Sequence, residues 1–422
     1  MKTIGMISLG CPKNLVDSEA ILADFVKRGF KVIDETAKAD VVVVNTCAFI
    51  EDAKRESIDT ILDLIELKKQ GRIKKIIVAG CLPQRYEKAL RKEMAEIDIF
   101  HGVRKFSNAD PDDRLLITPK HFAYVKISEG CDNRCSYCVI SKIRGPYKSR
   151  NQEAILKEID TLYKKSKDGL KEVNLISQDL TYYGMDLYGK LSLAKFLGRI
   201  NKNIKWIRLL YAHPAHFTDE LISTIRDNAQ ICKYVDLPVQ HINDRILYKM
   251  GRKVTKKQIL DLIAKLRKNI PDIAIRSSLI VGMPGETEKE FKELLQFIKD
   301  IKFERLGIFT YSREEDTPAY NFKGQVSDKI KKERFDKAMQ LQQEVAKQVN
   351  ANFLGRTLQI LIDEKKGNDY IGRTYADAPE VDGQVFIRDV GANGHSPLLK
   401  IGEFVDAKIV DTMEYDLVGE IC

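Results

Sequence analysis

Cys131, Cys135 and Cys138 stand in the run SEGCDNRCSYC, a C-x-x-x-C-x-x-C triplet. Iron–sulfur cubanes are held by cysteine thiolates, as a rule four to a cluster. Three cysteines would close three irons and leave the fourth open to a ligand that is not protein. An open position is what separates a catalytic metal site from a structural one. The rival for this spacing is a zinc knuckle with a fourth ligand from elsewhere, although zinc sites more often come as paired C-x-x-C or C-x-x-C with a distant H-x-x-x-H. Cys11, Cys47 and Cys81 form a second set, each following an apolar β-type run (TIGMISLG, ADVVVVNT and KKIIVAG). Ligands collect at the carboxyl ends of strands in an open parallel sheet, so these three would share one rim as a second three-thiolate site. Taken separately they are three core thiols, since free cysteine is commonly buried. Cys232 and Cys422 lack any motif and read as a buried hydrophobe and an exposed terminal residue.

The elements that must position these residues divide the chain into three. Residues 1–105 alternate strand and helix, with helical spacing of apolar positions in NLVDSEAILADFVKRGF and AKRESIDTILDLIELKK. That pattern predicts an open α/β unit. A polar stretch with two prolines follows, and residues 106–120 read as a linker. Between 121 and 353, six β-type runs (AYVKIS, EVNLIS, IRLLYA, YVDLPV, AIRSSLIVG and RLGIFTYS) alternate with helical patterns. Such βα units predict a partial (β/α)6 barrel. Each run is followed by a segment with chemistry in it: GCDNRCSYC, QD, HP, QH, GMPGE and SREED in turn. Active sites of such barrels gather at that face. In residues 354–422, short runs (TLQILI, QVFIRDV, LLKI and EFVDAKIV) separated by glycine-rich turns predict a small antiparallel β-barrel.

The 422 residues are 44% hydrophobic and 31% charged, the composition of a soluble globular protein. No apolar run approaches the ~20 residues that span a bilayer. Leu9-Gly10-Cys11 imitates a lipoprotein cleavage box, but the apolar stretch before it is short and Pro12 and Lys13 follow, so it reads as a first strand. Eight cysteines are too sparse for a disulfide scaffold, which predicts a cytoplasmic protein whose clustered cysteines serve metal or catalysis. The net charge of +9 is uneven. From Arg356 onward, seven basic residues face thirteen acidic ones, giving −6 and leaving +15 on residues 1–355.

The open iron needs a ligand, and S-adenosylmethionine fits: its amino and carboxylate groups chelate iron with the sulfonium close by, ready for one-electron cleavage. The protein's share is binding, orientation and exclusion of side reactions. Tyr137 is placed to flank the adenine or to pack on the cysteine loop. Gly282, opening GMPGE, allows close backbone approach or simply a turn. Gln178, Asp179, Asp236, Gln240 and His241 could orient the ribose, the methionyl carboxylate or the substrate, or be satisfied structural groups. His213 and His216 read as hydrogen-bonded loop residues more than as ligands.

These motifs resemble the methylthiotransferase family of radical S-adenosylmethionine enzymes over essentially the whole length, the C-terminal segment resembling its TRAM domain. SLGCPKNLVDSE, VNTCAFIEDAKRESI, AGCLPQRY, VDLPVQHINDRILYKMGR, VGMPGETEKEF, YSREEDTPAY and DAPEVDG look like the RimO branch, which modifies an aspartate of small-ribosomal-subunit protein S twelve. The MiaB-type branch, which modifies a tRNA adenosine, usually has GCQMN where this chain has GCPKN. Ser141 departs from the pattern, which has proline there. The resemblance implies two [4Fe-4S] clusters, one on Cys131, Cys135 and Cys138 and an auxiliary one on Cys11, Cys47 and Cys81. From their places in the barrel loops, Tyr137, Gln178, Asp236, Gln240 and Gly282 are the expected S-adenosylmethionine contacts. The resemblance also implies hydrogen abstraction from the aspartate β-carbon, sulfur delivered through the auxiliary cluster, and a methyl group from a second S-adenosylmethionine. A low-potential donor such as flavodoxin or ferredoxin would supply electrons. A tRNA-holding module should be basic, whereas this one is acidic. We therefore expect Asp377, Glu380 and Asp382 to dock a basic ribosomal protein in preference to tRNA, and no membrane partner is expected. The rivals are the tRNA branch, a non-catalytic iron–sulfur carrier, and an RNA-binding protein with a zinc site.

Overall fold

The computed structural model describes residues 1–103, 114–166, 169–367, 369–388 and 399–422. The chain begins with β1 (Thr3–Ser8), β2 (Lys31–Val32), β3 (Val41–Thr46), β4 (Lys75–Gly80) and β5 (Ile99–His101), a parallel sheet in the order β2-β1-β3-β4-β5. Helices α1 (Pro12–Lys27), α2 (Glu51–Lys69) and α3 (Cys81–Glu93) follow β1, β3 and β4. VVVVNT in β3 is buried along its whole length, as a central strand covered on both faces must be. Alternation sorts its valines: Val42 and Val44 pack with Ile61, Leu64 and Ile65 of α2, and Val41 and Val43 with Leu22 of α1. The strand order reverses between β1 and β3, the crevice where such sheets bind ligands.

Next come β6 (Phe122–Lys126), the two-stranded ribbon of β7 (Ser128–Glu129) and β8 (Lys148–Ser149), then β9 (Glu172–Ile176), β10 (Trp206–Leu209), β11 (Ile231–Asp236), β12 (Ala274–Val281) and β13 (Arg305–Thr310). The six longer strands form one parallel sheet, β13-β12-β11-β10-β9-β6, in sequential order: an open, partial barrel. Val125, Val173, Leu175, Ile207, Val235 and Ile275 face the helical layer. Their alternates Tyr124, Trp206, Cys232, Tyr234 and Ala274 face inward, where they meet residues of the C-terminal segment.

That segment is a closed barrel of β14 (Thr357–Lys366), β15 (Asp369–Arg373), β16 (Val385–Arg388), β17 (Phe404–Thr412) and β18 (Leu417–Ile421), in the order β14-β15-β16-β18-β17. One pair, β16 with β18, is parallel; the other four are antiparallel. The LLKI run is not the expected strand over its described residues: Leu399–Ile401 lead into a turn whose Gly402, at φ +85, backs onto His121. Leu398, and Asp389 and Val390 of QVFIRDV, lie outside the described residues.

Of the linker, residues 106–113 lie outside the described residues, but Arg114 is buried and held. It donates to Glu19 at 2.6 Å, to Glu158 at 2.5 Å and to the Tyr124 carbonyl. Polar composition reads as solvated; here the charge has buried acceptors instead. The docking surface also fails for two of its three acids. Asp377 is 1% exposed and accepts from Arg305 Nε at 2.8 Å. Asp382, with a side chain 3% exposed, accepts from Tyr234 at 2.7 Å and Arg276 at 3.2 Å. Buried charges are paired, and these acids bind the module to inward-facing barrel residues. Glu380 stays exposed, accepting from the Tyr124 hydroxyl at 3.1 Å. Among the described residues no helix is long and apolar enough to cross a membrane.

Candidate active site

Cys11 caps α1, Cys47 follows β3 directly and Cys81 is the first residue of α3, so successive strand ends bring the three thiols to one rim. Their loops are pressed together. A Cβ on Gly10 (φ +86) would lie 2.7 Å from Cys47 Cβ and 3.0 Å from its Sγ, and one on Gly80 (φ +95) would lie 2.2 Å from Asn45 Oδ1. Asn14 ties the rim: its Nδ2 donates to the Leu9 and Thr46 carbonyls, both at 3.0 Å, and its Oδ1 lies 3.8 Å from Cys81 Sγ. Ser57 Oγ donates to the Cys47 carbonyl at 2.9 Å and accepts from its N–H at 3.1 Å. Burial pushes the Cys47 thiol up to about 11 and Cys81 up to about 12. At Cys11 burial is outweighed by Lys13 and Arg144, which hold the thiol below its usual value. Thiols this reluctant to ionise give up their protons to a bound metal, and three converging sulfurs with cations beside them suit an iron–sulfur cluster.

The second triad lies in the loop after β7, at the carboxyl end of the barrel. Cys135 is buried and Cys131 and Cys138 are half-buried. Burial pushes Cys131 up to about 11 and Cys138 higher. The loop is pinned from three sides. Ser136 Oγ donates to the Lys249 carbonyl at 2.6 Å, and the Ala319 N–H donates to the Ser136 carbonyl at 2.9 Å. Asn133 Nδ2 donates to Asp179 Oδ2 at 2.7 Å. Asp179 in turn meets His216 Nδ1 at 2.8 Å, so this histidine is the hydrogen-bonded loop residue its sequence suggested. His213 Nδ1 accepts from the Ala215 N–H at 3.2 Å. The three thiols, with no carboxylate or imidazole hydrogen-bonded to them among the described residues, fit a cluster ligand set.

The residues expected to touch S-adenosylmethionine divide. Tyr137 packs with Met250, Met283 and Tyr311, between the cysteine loop and GMPGE. Gln178 donates to Glu129 at 2.9 Å while its Oε1 is buried without a partner, a polar atom still open to a ligand. Gln240 sits at φ +71, joined by a bridge to Leu279. Asp236 is already engaged by Arg276 at 3.0 Å and by the Tyr211 N–H at 3.0 Å, a structural arrangement. Gly282 does need its glycine, at φ +77, but its N–H is taken by Glu286 Oε2 at 2.7 Å and the Lys331 side chain occupies its open face.

Residues 3–102 match the uncharacterized protein family UPF0004, residues 125–298 the Radical SAM superfamily and residues 354–422 the TRAM domain. The chain is 44% identical, over 446 residues, to the ribosomal protein uS12 methylthiotransferase RimO of Thermoanaerobacter sp. (strain X514), with 100% of both chains covered. It is 46% identical over 452 residues to the protein of the same name from Desulforamulus reducens, again with 100% of both covered. The chain belongs to the RimO family of methylthiotransferases. Among solved structures, the radical S-adenosylmethionine methyltransferase TsrM of Kitasatospora setae is similar at a TM-score of 0.52 and 14% identity, covering 76% of this chain and 77% of that one. The cobalamin-dependent S-adenosylmethionine radical enzyme OxsB reaches a TM-score of 0.51 at 12% identity, covering 81% and 56%. At such identity the likeness concerns the fold alone.

In this RimO-family chain the first domain sits on the barrel mouth through buried charges. Arg144 donates to Glu129 at 2.8 Å, to Asp17 at 3.2 Å and to Asn14 Oδ1 at 2.6 Å, and its Nη2 lies 4.0 Å from Cys81 Sγ. Lys126 joins Asp17 at 2.5 Å and Glu129 at 2.7 Å. Arg85 pairs with Glu314 of SREED at 3.0 Å. Arg252 donates to the Pro238 carbonyl at 2.6 Å and lies 3.8 Å from Cys135 Sγ. Lys13, in GCPKN, is buried against the Tyr211 ring. A signal for Lys13, Asn14 and Arg252 was present, since the first two lie in SLGCPKN and Arg252 closes VDLPVQHINDRILYKMGR; which acids Arg144 reaches has no local mark.

Proposed function

We propose that this enzyme attaches a methylthio group to the β-carbon of an aspartate in small-ribosomal-subunit protein uS12. Full-length relatives named for that reaction support it, and the observation that carries it is the pair of cysteine triads, one on each side of a single domain junction. We propose a [4Fe-4S] cluster on each, held by Cys131, Cys135 and Cys138 and by Cys11, Cys47 and Cys81. When bound, the clusters and S-adenosylmethionine supply one-electron chemistry, sulfur and the methyl group. The chain's own residues do the positioning. Asn133, Ser136 and Arg252 hold the barrel triad; Asn14, Ser57 and Arg144 hold the rim. Tyr137 and the open Oε1 of Gln178 are offered to S-adenosylmethionine. The ion pairs of Arg144, Lys126 and Arg85 press the two domains together and exclude water, which protects a reactive species from side reactions.

A low-potential carrier of the flavodoxin or ferredoxin kind is the proposed electron source. tRNA is not the proposed substrate, because the exposed acids of the C-terminal barrel, Glu380 among them, disfavour phosphate. The test is anaerobic reconstitution followed by iron counting and mass spectrometry of uS12 after reaction. Two four-iron clusters give about eight irons. About four irons in the wild type, or methylthiolated tRNA beside unmodified uS12, would overturn the proposal.

A further inference from the structure

The cover over the inner face of the central barrel stops at one side. On β6, β9, β10 and β11 the inward-facing residues at mid-strand, Tyr124, Asn174, Arg208 and Tyr234, are all buried. The C-terminal barrel closes on them, with Glu380 at Tyr124, the Tyr375 carbonyl at Arg208 and Asp382 at Tyr234. On β12 and β13 alternation sends Leu279 and Ile308 to the helical layer and Ser278, Ile280, Gly307 and Phe309 inward. The cover is missing there: the first three of these are half-buried and Phe309 is 47% exposed. The Phe309 ring lies back across Gly307, where an added Cβ would stand 3.1 Å from its Cε2 and 3.9 Å from Ser278 Oγ. β13 is the end strand of its sheet, and it is fixed at both ends. Arg305 holds Asp377 of the C-terminal barrel, while Ser312 and Glu314 meet Glu51 and Arg85 of the first domain. Residues 306–311 between them give about 20 Å of strand along an opening into the lumen.

The opening leads toward both triads. Ile280 packs on the cluster that holds Tyr137. Half-buried Tyr211 has its phenol pushed up first by burial and then by Cys11, Asp236 and Glu380, so Glu380 and Cys11 act on the same ring. The lower lip is apolar and acidic. Val381 is 54% exposed beside Glu380, which the turn holds at φ +68. Two cations there, Arg276 and Arg305, meet four acids, Asp236, Asp377, Asp382 and Glu380, a balance of −2. Large apolar side chains left bare at one opening mark a protein contact. An excess of acid selects a basic partner and repels phosphate.

We propose that this opening seats an extended segment of a basic protein substrate, laid over Gly307 and Phe309 with an apolar side chain against Phe309 and Val381 and a basic one on Glu380. The inference rests on the proposed function for the identity of that protein, uS12. It adds the surface by which the segment is held and the side of the barrel from which its aspartate enters.

The reconstituted enzyme, without reductant so that nothing turns over, is titrated with fluorescently labelled uS12. Gly307→Val, which puts side-chain atoms into the seat, and Glu380→Lys, which reverses its charge, should each weaken binding at least tenfold, and Phe309→Ala at least threefold, with iron content unchanged. Leu62→Ala, at an exposed apolar position on α2, should bind as the wild type does. If Gly307→Val loses iron, Glu380→Lys and Phe309→Ala decide the matter in its place. Iron-replete Gly307→Val or Glu380→Lys enzyme that binds uS12 within twofold of the wild type overturns the proposal, as does equal weakening by Leu62→Ala. Displacement of uS12 by tRNA overturns it too, and so does a wild-type dimer that Gly307→Val breaks, since the seat would then belong to a second copy. Failure of the functional reading is seen separately, as wild-type enzyme with reductant leaving bound uS12 unmodified.

Discussion

Replacing Gly80 by alanine tests whether the rim of the first sheet is a built site or three neighbouring thiols. Gly80 adopts φ +95, ψ −148, a region that essentially only glycine occupies, at a cost of about 1–3 kcal/mol for other residues. The new methyl would lie 2.2 Å from Asn45 Oδ1, 2.6 Å from the Thr46 carbonyl and 3.0 Å from the Thr46 nitrogen. Asn45 cannot simply swing away, because its Nδ2 donates to the Asn14 carbonyl at 2.8 Å and to Ser18 Oγ at 2.9 Å. Asn14 in turn holds the loops before Cys11 and Cys47. Overpacking of this kind adds roughly 1–3 kcal/mol, so about 2–6 kcal/mol falls on the cysteine rim. Gly29→Ala is the control: φ is +84, but nothing lies within 4 Å of the added carbon, so it carries a positive-φ cost without the collision. After anaerobic reconstitution, Gly80→Ala should hold about four irons and Gly29→Ala about eight, on four-iron clusters. A Gly80→Ala protein with about eight irons, or equal loss in both variants, would refute the reasoning.

Other perturbations address the interfaces. Asp377→Ala strands the Arg305 guanidinium in the interior and should destabilise the C-terminal barrel by about 3–5 kcal/mol, seen as faster limited proteolysis of that segment; Glu380→Ala, at an exposed position, should leave proteolysis unchanged. Arg144→Met leaves Asp17 and Glu129 sharing Lys126 alone and should cost a similar ~3–5 kcal/mol, read as earlier denaturant unfolding of the first domain. The pH dependence has a definite sign. Burial would raise the carboxyls of Glu172 and Asp363, but Arg373 with Arg208 at the first, and His121 with Arg373 at the second, hold both below the usual range. Their contribution is therefore complete above the ordinary carboxylate value and lost as pH falls through the lower folded value. Arg373→Met removes the cation the two carboxyls share and leaves Arg208 and His121, so the acid limb of the variant should become shallower; an unchanged profile would count against the assignment.

Much of the architecture was legible because periodicity and punctuation are local. β3 announces itself as an unbroken β-branched run, the six barrel strands as runs spaced by helical patterns, and the two cysteine sets as spacing or as repeated strand endings. What composition misjudged were charges whose partners lie far along the chain. Asp377 and Asp382 look like solvated acids until Arg305, Arg276 and Tyr234 are brought to them from the barrel interior. Arg114 looks like part of a loose connector until Glu19 and Glu158 close on it. The fate of a charge depends on which partner folding delivers, and pairs 72 or 106 residues apart leave no local trace. The sequence by itself determined which thiols exist and that those of the two triads come after strands. The tertiary structure decided that the first domain closes over the barrel mouth, so that the rim beside Cys81 and the loop of Cys131, Cys135 and Cys138 share one junction, because the acids that Arg144 and Lys126 hold come from both domains.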